Sequence, residues 1–298
     1  RWRRRTAAAR GARIRERAGA PAVSEFLEEM AAASRARVRT ACEHRPLAAL
    51  QVQARHSPVP PRLQLHSSGF DLIAELKLRS PAAGPLGAAG EDLAGRVTAY
   101  ARGGAAAVSV LTEPSRFDGS LAHLGEAAQA LAPLGVPVMR KDFLVEPYQV
   151  FEARAAGAGG VLVILRMLAR DDIRALMECA RSLGLFVLLE AFDAQDIGLM
   201  HELIATARGS GQLLAGVNCR DLTTLQVVPQ RLLRLAPLLP AQVPWVAESG
   251  IACAADARAV AAAGYALVLV GSALMGEGDP GALTAALLGA GRSARKAG

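Results

Sequence analysis

Eight short apolar runs, each rich in Val, Leu, Ile or Ala, recur along this chain and constrain its fold more than any other feature. They are LIAEL (72–76), AVSVL (107–111), PVMR (137–140), GVLVIL (160–165), FVLLE (186–190), LLAGVN (213–218), PWVAE (244–248) and ALVLVG (266–271). Longer stretches of Ala, Leu, Arg and Glu separate them, giving repeats of about 30 residues, the length of one strand–helix unit. Runs that are apolar throughout, rather than alternating, belong to parallel strands covered on both faces. Eight such units predict an α/β protein, a (β/α)8 TIM barrel of eight parallel strands. A doubly wound open sheet shows the same alternation, and spacing alone leaves it open. Upstream, residues 24–50 place Phe26, Leu27, Met30 and Val38 at helical spacing, predicting an extra helix before the first strand. Residues 51–69, with SPVPPR at 57–62, read as loop. The expected organisation is an Arg/Ala-rich leader over 1–22, a helical extension and loop over 23–69, and a barrel domain over 70–290.

The 298 residues suit one large domain, since such barrels run to about 250 residues as a single unit. No apolar run reaches the roughly 20 residues of a bilayer span, so no membrane partner is expected. The formal net charge of +7 resides wholly in residues 1–17, where eight arginines face only Glu16. The balanced remainder argues against a nucleic-acid partner for the folded part. The leader is expected to be disordered; an organelle transit peptide, a nucleic-acid-adhering arm and an over-extended start are the alternatives. Cys42, Cys179, Cys219 and Cys253 are scattered without a C-x-x-C pair, and the five histidines lack metal-site spacing. Free thiols in a reducing compartment follow, with no metal.

Chemistry in a barrel of this kind sits where strands end and their loops begin. Those ends read Glu75 and Lys77, Thr112 and Glu113, Lys141, Glu190, Asn218 and Arg220, Glu248 and Ser249, then Gly271 and Ser272. Glu75 and Lys77 stand two apart on one strand and so share a face, either as catalytic groups or as a structural ion pair. Lys141 among carboxylates is a group whose acidity can be tuned. Glu190 follows four apolar residues, a poor place for a merely solvated charge. Ser249-Gly250 and Gly271-Ser272, after the last two strands, supply small residues whose backbone N–H groups can approach a phosphate.

The strings FDLIAELKLRSP, SVLTEPSRFDGSL, PVMRKDFLVEPYQVFEARAAGA, GVNCRDLTTLQV, VAESGI and LVLVGSALM, in that order over about residues 70–280, resemble the signatures of indole-3-glycerol phosphate synthases. The resemblance implies a cofactor-free carboxy-lyase of tryptophan biosynthesis. It would close 1-(2-carboxyphenylamino)-1-deoxyribulose 5-phosphate to indole-3-glycerol phosphate, carbon dioxide and water. By position, Lys141 resembles the family's general acid for the condensation and Glu190 its catalytic carboxylate. Glu75 with Lys77 resembles the pair that orients the substrate and assists dehydration. Asn218 and Glu248 would hydrogen-bond the sugar part and the lysines, while Ser80, Phe143 and Arg220 would shape the pocket and its aromatic-carboxylate end. Gly250, Gly271 and Ser272 would hold the phosphate, with Ser249 close by. The resemblance also implies a cytoplasmic monomer acting on a phosphorylated small molecule, with other tryptophan-pathway enzymes as its candidate protein partners.

The sequence departs from the family pattern in three places. Ala82-Ala83-Gly84 and the segment GPLGAAGEDL replace the usual polar first loop, Cys219 stands where Asn is usual, and Ala191-Phe192 where Val-His is usual. None removes a charged residue assigned to the chemistry. Other phosphate-binding barrels fit less well. Phosphoribosylanthranilate isomerase would be expected to carry Cys and Asp where this chain has Glu75/Lys77 and Asn218. A Schiff-base aldolase could use Lys141 as an amine, leaving the surrounding carboxylates without a task. A barrel that has lost catalysis and serves as a scaffold is the remaining alternative.

Overall fold

All eight apolar runs are strands, and they close on themselves. In the computed structural model, which describes residues 25–67, 69–82, 84–86, 92–207, 211–276 and 278–296, the strands are β1 (Asp71–Leu76), β2 (Ala107–Leu111), β3 (Val138–Lys141), β4 (Gly160–Ile164), β5 (Phe186–Ala191), β6 (Leu213–Asn218), β7 (Trp245–Glu248) and β8 (Leu267–Val270). Each pairs in parallel with the next, and β8 returns to β1, with Asp71 opposite Leu267 and Ala74 opposite Val270. Closure excludes the open doubly wound sheet. Every residue of β1, β2, β4, β5 and β8 is buried, because the barrel interior covers one face and the helices cover the other. A short antiparallel pair, Arg79–Ser80 with Gly84–Pro85, follows β1.

The helices in chain order are α1 (Glu25–His44), α2 (Leu47–His56), α3 (Leu93–Arg102), α4 (Pro114–Phe117), α5 (Leu121–Leu131), α6 (Pro147–Ala155), α7 (Arg170–Ser182), α8 (Ala194–Thr206), α9 (Gln230–Leu235), α10 (Ala254–Ala262) and α11 (Pro280–Lys296). Among the described residues no helix is long and apolar enough to cross a membrane. Local chemistry starts several of them: Ser120 caps α5 by accepting from the His123 N–H, and Asp193 caps α8 through Gln195 and Asp196.

The extension before the barrel differs from its expected form. One helix over 24–50 is instead two, α1 and α2, broken at Arg45-Pro46. Proline lacks the N–H that would continue α1 and pushes its predecessor out of helical geometry. The chain then re-enters a helix that runs to His56, through residues expected to be loop. The buried face of α1 (Leu27, Met30, Ala31, Ser34, Val38) lies against the barrel and α6. At the far end α11 continues to Lys296, past residue 290. The Arg-rich leader, Ala83 and residues 87–91 of the first loop lie outside the described residues.

Candidate active site

The barrel opens at the carboxyl ends of its strands into a cavity of about 530 Å³, lined by every residue assigned a catalytic, substrate-binding or phosphate-binding role from the sequence. Of the strand-end residues, Thr112 and Glu113 stand outside it, bonded to Asp142 and to the start of α4. Its charged floor is built by strand ends. Lys141, the last residue of β3, places Nζ 3.4 Å from Glu190 Oε1 and 3.4 Å from Glu248 Oε2. Neighbouring Arg140 points the opposite way, as alternation along a strand demands, and meets Glu152 and the Gln149 carbonyl of α6. Just past β1, Lys77 Nζ lies 3.0 Å from Glu75 Oε1. Asn218 sits opposite Glu248 in the β6–β7 register. Its amide donates to Glu190 Oε1 at 2.9 Å, and its oxygen accepts from the Ser249 hydroxyl at 2.9 Å.

Two glycines exist here to leave room for carboxylates. A Cβ at Gly216 would run into Glu248, and one at Gly271 into Glu75. Gly271 thus makes space for the floor as well as offering backbone to an anion. After β7, Ser249 and Gly250 both adopt left-handed backbone, with φ of 68° and 74°. The bond from the Ser249 hydroxyl to Asn218 holds this turn, which costs Ser249 about 1 kcal/mol of local strain. The turn and the Gly271-Ser272 segment face the cavity together.

The floor's charges perturb one another. Burial alone would lower Lys141, but Glu190, Glu248 and Glu75 outweigh it and hold the ammonium well above the usual lysine range. Burial also works against an ionised Glu75, yet Lys77, Lys141 and Arg220 keep it below the usual carboxylate range. Glu248 goes the other way: burial first, then repulsion from Glu190, raise it well above that range in spite of Lys141. Its Oε1 is buried with no hydrogen-bond partner. The floor therefore favours the charged form of Lys141 and works against an ionised Glu248. Imine-forming lysines need a neutral amine, whereas Lys141 stands 3.4 Å from each of two carboxylates that favour its charged form, an arrangement that suits an aldolase poorly.

The other part of the cavity is an apolar wall, of which only Phe143 was expected from the sequence. Phe26 and Leu27 reach it from α1, Phe117 from α4, and Phe143 from the loop after β3. Phe143 meets Phe26 edge-on at 5.8 Å between centroids and Phe117 at 6.2 Å. Leu222, Leu225 and Val227 add to it from the loop after β6. Arg220 lines the cavity but spends one Nη on the Leu225 carbonyl at 2.7 Å, which fixes that loop. Since β3 and β7 stand four strands apart in the closed ring, the aromatic cluster and the Ser249-Gly250 turn occupy opposite sides of the mouth.

The three departures from the family pattern also find their places. Cys219 is fully buried outside the cavity lining. Its thiol donates to the Ser249 carbonyl at 3.3 Å, beneath the turn, and burial pushes it up to about 11. Phe192 lines the cavity with the Arg166 guanidinium 4.8 Å over its ring, an added apolar surface where histidine is usual. In the first loop, Ser80, Pro81 and Ala82 line the cavity.

Known proteins resemble this chain over most of its length. The sequence model of the family described as indole-3-glycerol phosphate synthase matches residues 27–287. The chain is 42% identical over 241 residues to an indole-3-glycerol phosphate synthase of Mycolicibacterium vanbaalenii, covering 80% of this chain and 85% of that one. It is 45% identical to one from a Nocardioides species (75% and 82% covered) and 42% identical to one from a Parafrankia species (89% and 96% covered). Solved structures of a thiamine phosphate pyrophosphorylase from Pyrococcus furiosus and a 3-hexulose-6-phosphate synthase from Salmonella typhimurium share the fold. Both give a TM-score of 0.55, at 18% and 14% identity, covering 76% and 74% of this chain and 98% of each of those. With a closed barrel, a single charged mouth and relatives of this kind over most of its length, the chain belongs to the indole-3-glycerol phosphate synthase family.

Proposed function

We propose that this cavity carries out the decarboxylating ring closure of 1-(2-carboxyphenylamino)-1-deoxyribulose 5-phosphate. The observation that carries the reading is Lys141 Nζ held 3.4 Å from both Glu190 and Glu248, in one cavity with an aromatic wall and the Ser249-Gly250 and Gly271-Ser272 segments. The phosphate sits on the backbone of Gly250, Gly271 and Ser272 with Ser249 beside it, and the aromatic ring lies among Phe26, Phe117 and Phe143. Ser80 and Arg220 border the ring's carboxylate. The ring carbon bearing that carboxylate attacks the ketone, and Lys141 gives a proton to the developing alkoxide. Carbon dioxide leaves as its bonding electrons return to the ring. The new hydroxyl then departs as water: Lys77, set by Glu75, supplies the proton, and Glu190 takes one from the adjoining carbon. Asn218 and Glu248 orient Glu190 and Lys141 and hold the sugar hydroxyls.

The balanced charge of the barrel and its small-molecule-sized cavity support a phosphorylated small molecule as its ligand, with no nucleic-acid partner. The reading includes a monomeric, cytoplasmic enzyme with the barrel over 70–290 as its catalytic domain. Incubating the protein with this substrate and following indoleglycerol phosphate fluorescence tests it, with Lys141→Met alongside. Turnover is expected for the parent chain and a loss of at least about a thousandfold for the variant. Substrate binding without turnover by the parent would sink the synthase reading and bring the scaffold alternative forward.

A further inference from the structure

One helix outside the barrel grips Phe143 from two sides. Ser34 and Arg37 stand three residues apart on α1 and therefore share a face. The Ser34 hydroxyl donates to the Phe143 carbonyl at 2.6 Å. Arg37 Nη2 donates to Asp142 Oδ1 at 2.8 Å, and the same oxygen accepts the Phe143 N–H at 2.8 Å. Both backbone groups of Phe143 are thus fixed from α1, one directly and one through Asp142. The residue before Asp142 is Lys141.

The second arm of the same guanidinium reaches another segment. Arg37 Nη1 lies 3.3 Å from Glu113 Oε1. Glu113 is fully buried and caps α4 by accepting from the N–H groups of Ser115 and Arg116, and α4 carries Phe117. A single planar fork therefore ties together the three segments that deliver Phe26, Phe117 and Phe143 to the cavity. Asp142 is nearly as buried as Glu113, and buried carboxylates hold their geometry only with good partners. Its other oxygen is already taken by the Thr112 hydroxyl at 2.7 Å and Arg140 Nη2 at 3.0 Å. Arg37 itself does not line the cavity.

We propose that Arg37, assisted by Ser34, is a positioning residue for the ring-closing reaction. It sets the aromatic clamp and, through Asp142, the backbone from which Lys141 projects, without touching substrate. The proposal rests on the synthase reading for its chemistry.

The test compares the full chain with Arg37→Gln and Arg37→Lys. It reads kcat and KM for the ring-bearing substrate, the Ki of inorganic phosphate as a competitor, and Tm. Arg37→Gln should lose about tenfold to a hundredfold in kcat/KM, the cost of a small misplacement of reacting groups. Phosphate should still bind within about twofold, because its turns lie across the mouth. Lysine, a point charge that can serve one carboxylate but not both, should fall between. Wild-type kcat/KM in Arg37→Gln would overturn the proposal, as would an equal weakening of substrate and phosphate. If Arg37→Gln does not fold, Arg37→Lys decides by the same criteria. If the parent chain shows no turnover, the synthase reading fails on its own. Calorimetry with the same two ligands then judges the clamp: a loss confined to the ring-bearing one supports it, and unchanged binding of both overturns it.

Discussion

The floor and the wall of the cavity are built by opposite strategies. The floor is charged and rigid: Glu75, Lys77, Lys141, Glu190, Asn218 and Glu248 stand at or just past the ends of strands whose hydrogen bonds fix them around a closed ring. The wall is apolar and assembled from an outlying helix, a four-residue helix and two loops, which buried side-chain bonds pin to the barrel. A ring-closing reaction needs both. Proton transfers need groups held to a fraction of an ångström, while the aromatic ring needs a shaped surface. The division predicts that changes in the floor act on kcat and changes in the wall act on KM.

Glu190→Gln gives the largest effect expected within this comparison. It keeps the Asn218 contact in shape but removes the base, so kcat should fall about a hundredfold to ten-thousandfold with KM little changed in steady-state assays. A proportionate rise in KM would break the division, because it would make Glu190 a binding group. Gly271→Ala comes next, since its Cβ would run into the Glu75 carboxylate. Overpacking of about 1–3 kcal/mol should lower Tm by several degrees. Activity should drop about tenfold, because Glu75 is displaced from Lys77. Unchanged Tm and activity would mean that Glu75 has another resting place. Phe26→Leu belongs to the wall. Losing the edge-on contact with Phe143, a pair worth about 0.5–1.5 kcal/mol, should raise KM about twofold to tenfold and leave kcat near the parent value. A fall in kcat alone would show that the wall reaches into the chemistry by another route.

The same division explains what the sequence disclosed. Floor residues were legible because each follows its own apolar run, so that local order in the chain is also order around the ring. Of the residues read in this way, Glu75, Lys77, Lys141, Glu190, Asn218, Arg220, Glu248, Ser249, Gly250, Gly271 and Ser272 line the cavity, whereas Thr112 and Glu113 turn away from it to Asp142 and to the start of α4. Of the wall, only Phe143 was legible, through the family resemblance. Helical spacing marked Phe26 and Leu27 as an apolar face of α1, but periodicity does not say what a face covers, and Ser34 meets Phe143 across 109 positions. Alternation along β3 would place Arg140 opposite Lys141, yet it could not name α6 as its destination. The break at Pro46 was readable from the proline rule; the hydrophobic spacing on either side masked it. Cys219 was visible as a departure, whereas its place beneath the Ser249-Gly250 turn needed the fold.

Glu248 sharpens the comparison within the floor itself, through a smaller effect on stability. Burial and the nearby Glu190 raise its carboxyl well above the usual range, and Oε1 has no partner. A group whose folded pKa exceeds its unfolded value, here about 4.3, stabilises fully below the unfolded value. That contribution is lost as pH rises through the folded one. Glu248→Gln carries no titrating group there, so it escapes this loss. The Tm difference, variant minus parent, should be smallest in acid and should grow as pH climbs through the raised pKa. Each kcal/mol of relief would read as about 2–4 °C in scanning calorimetry. Glu248→Gln should also keep more of kcat than Glu190→Gln, because an amide resembles a neutral acid in shape and hydrogen bonding. A Tm difference that stays flat with pH would mean that Glu248 is ionised in the folded protein. Lys141 would then face a full negative charge on Glu248 and surrender its proton less readily, which would move the first proton donation to Lys77.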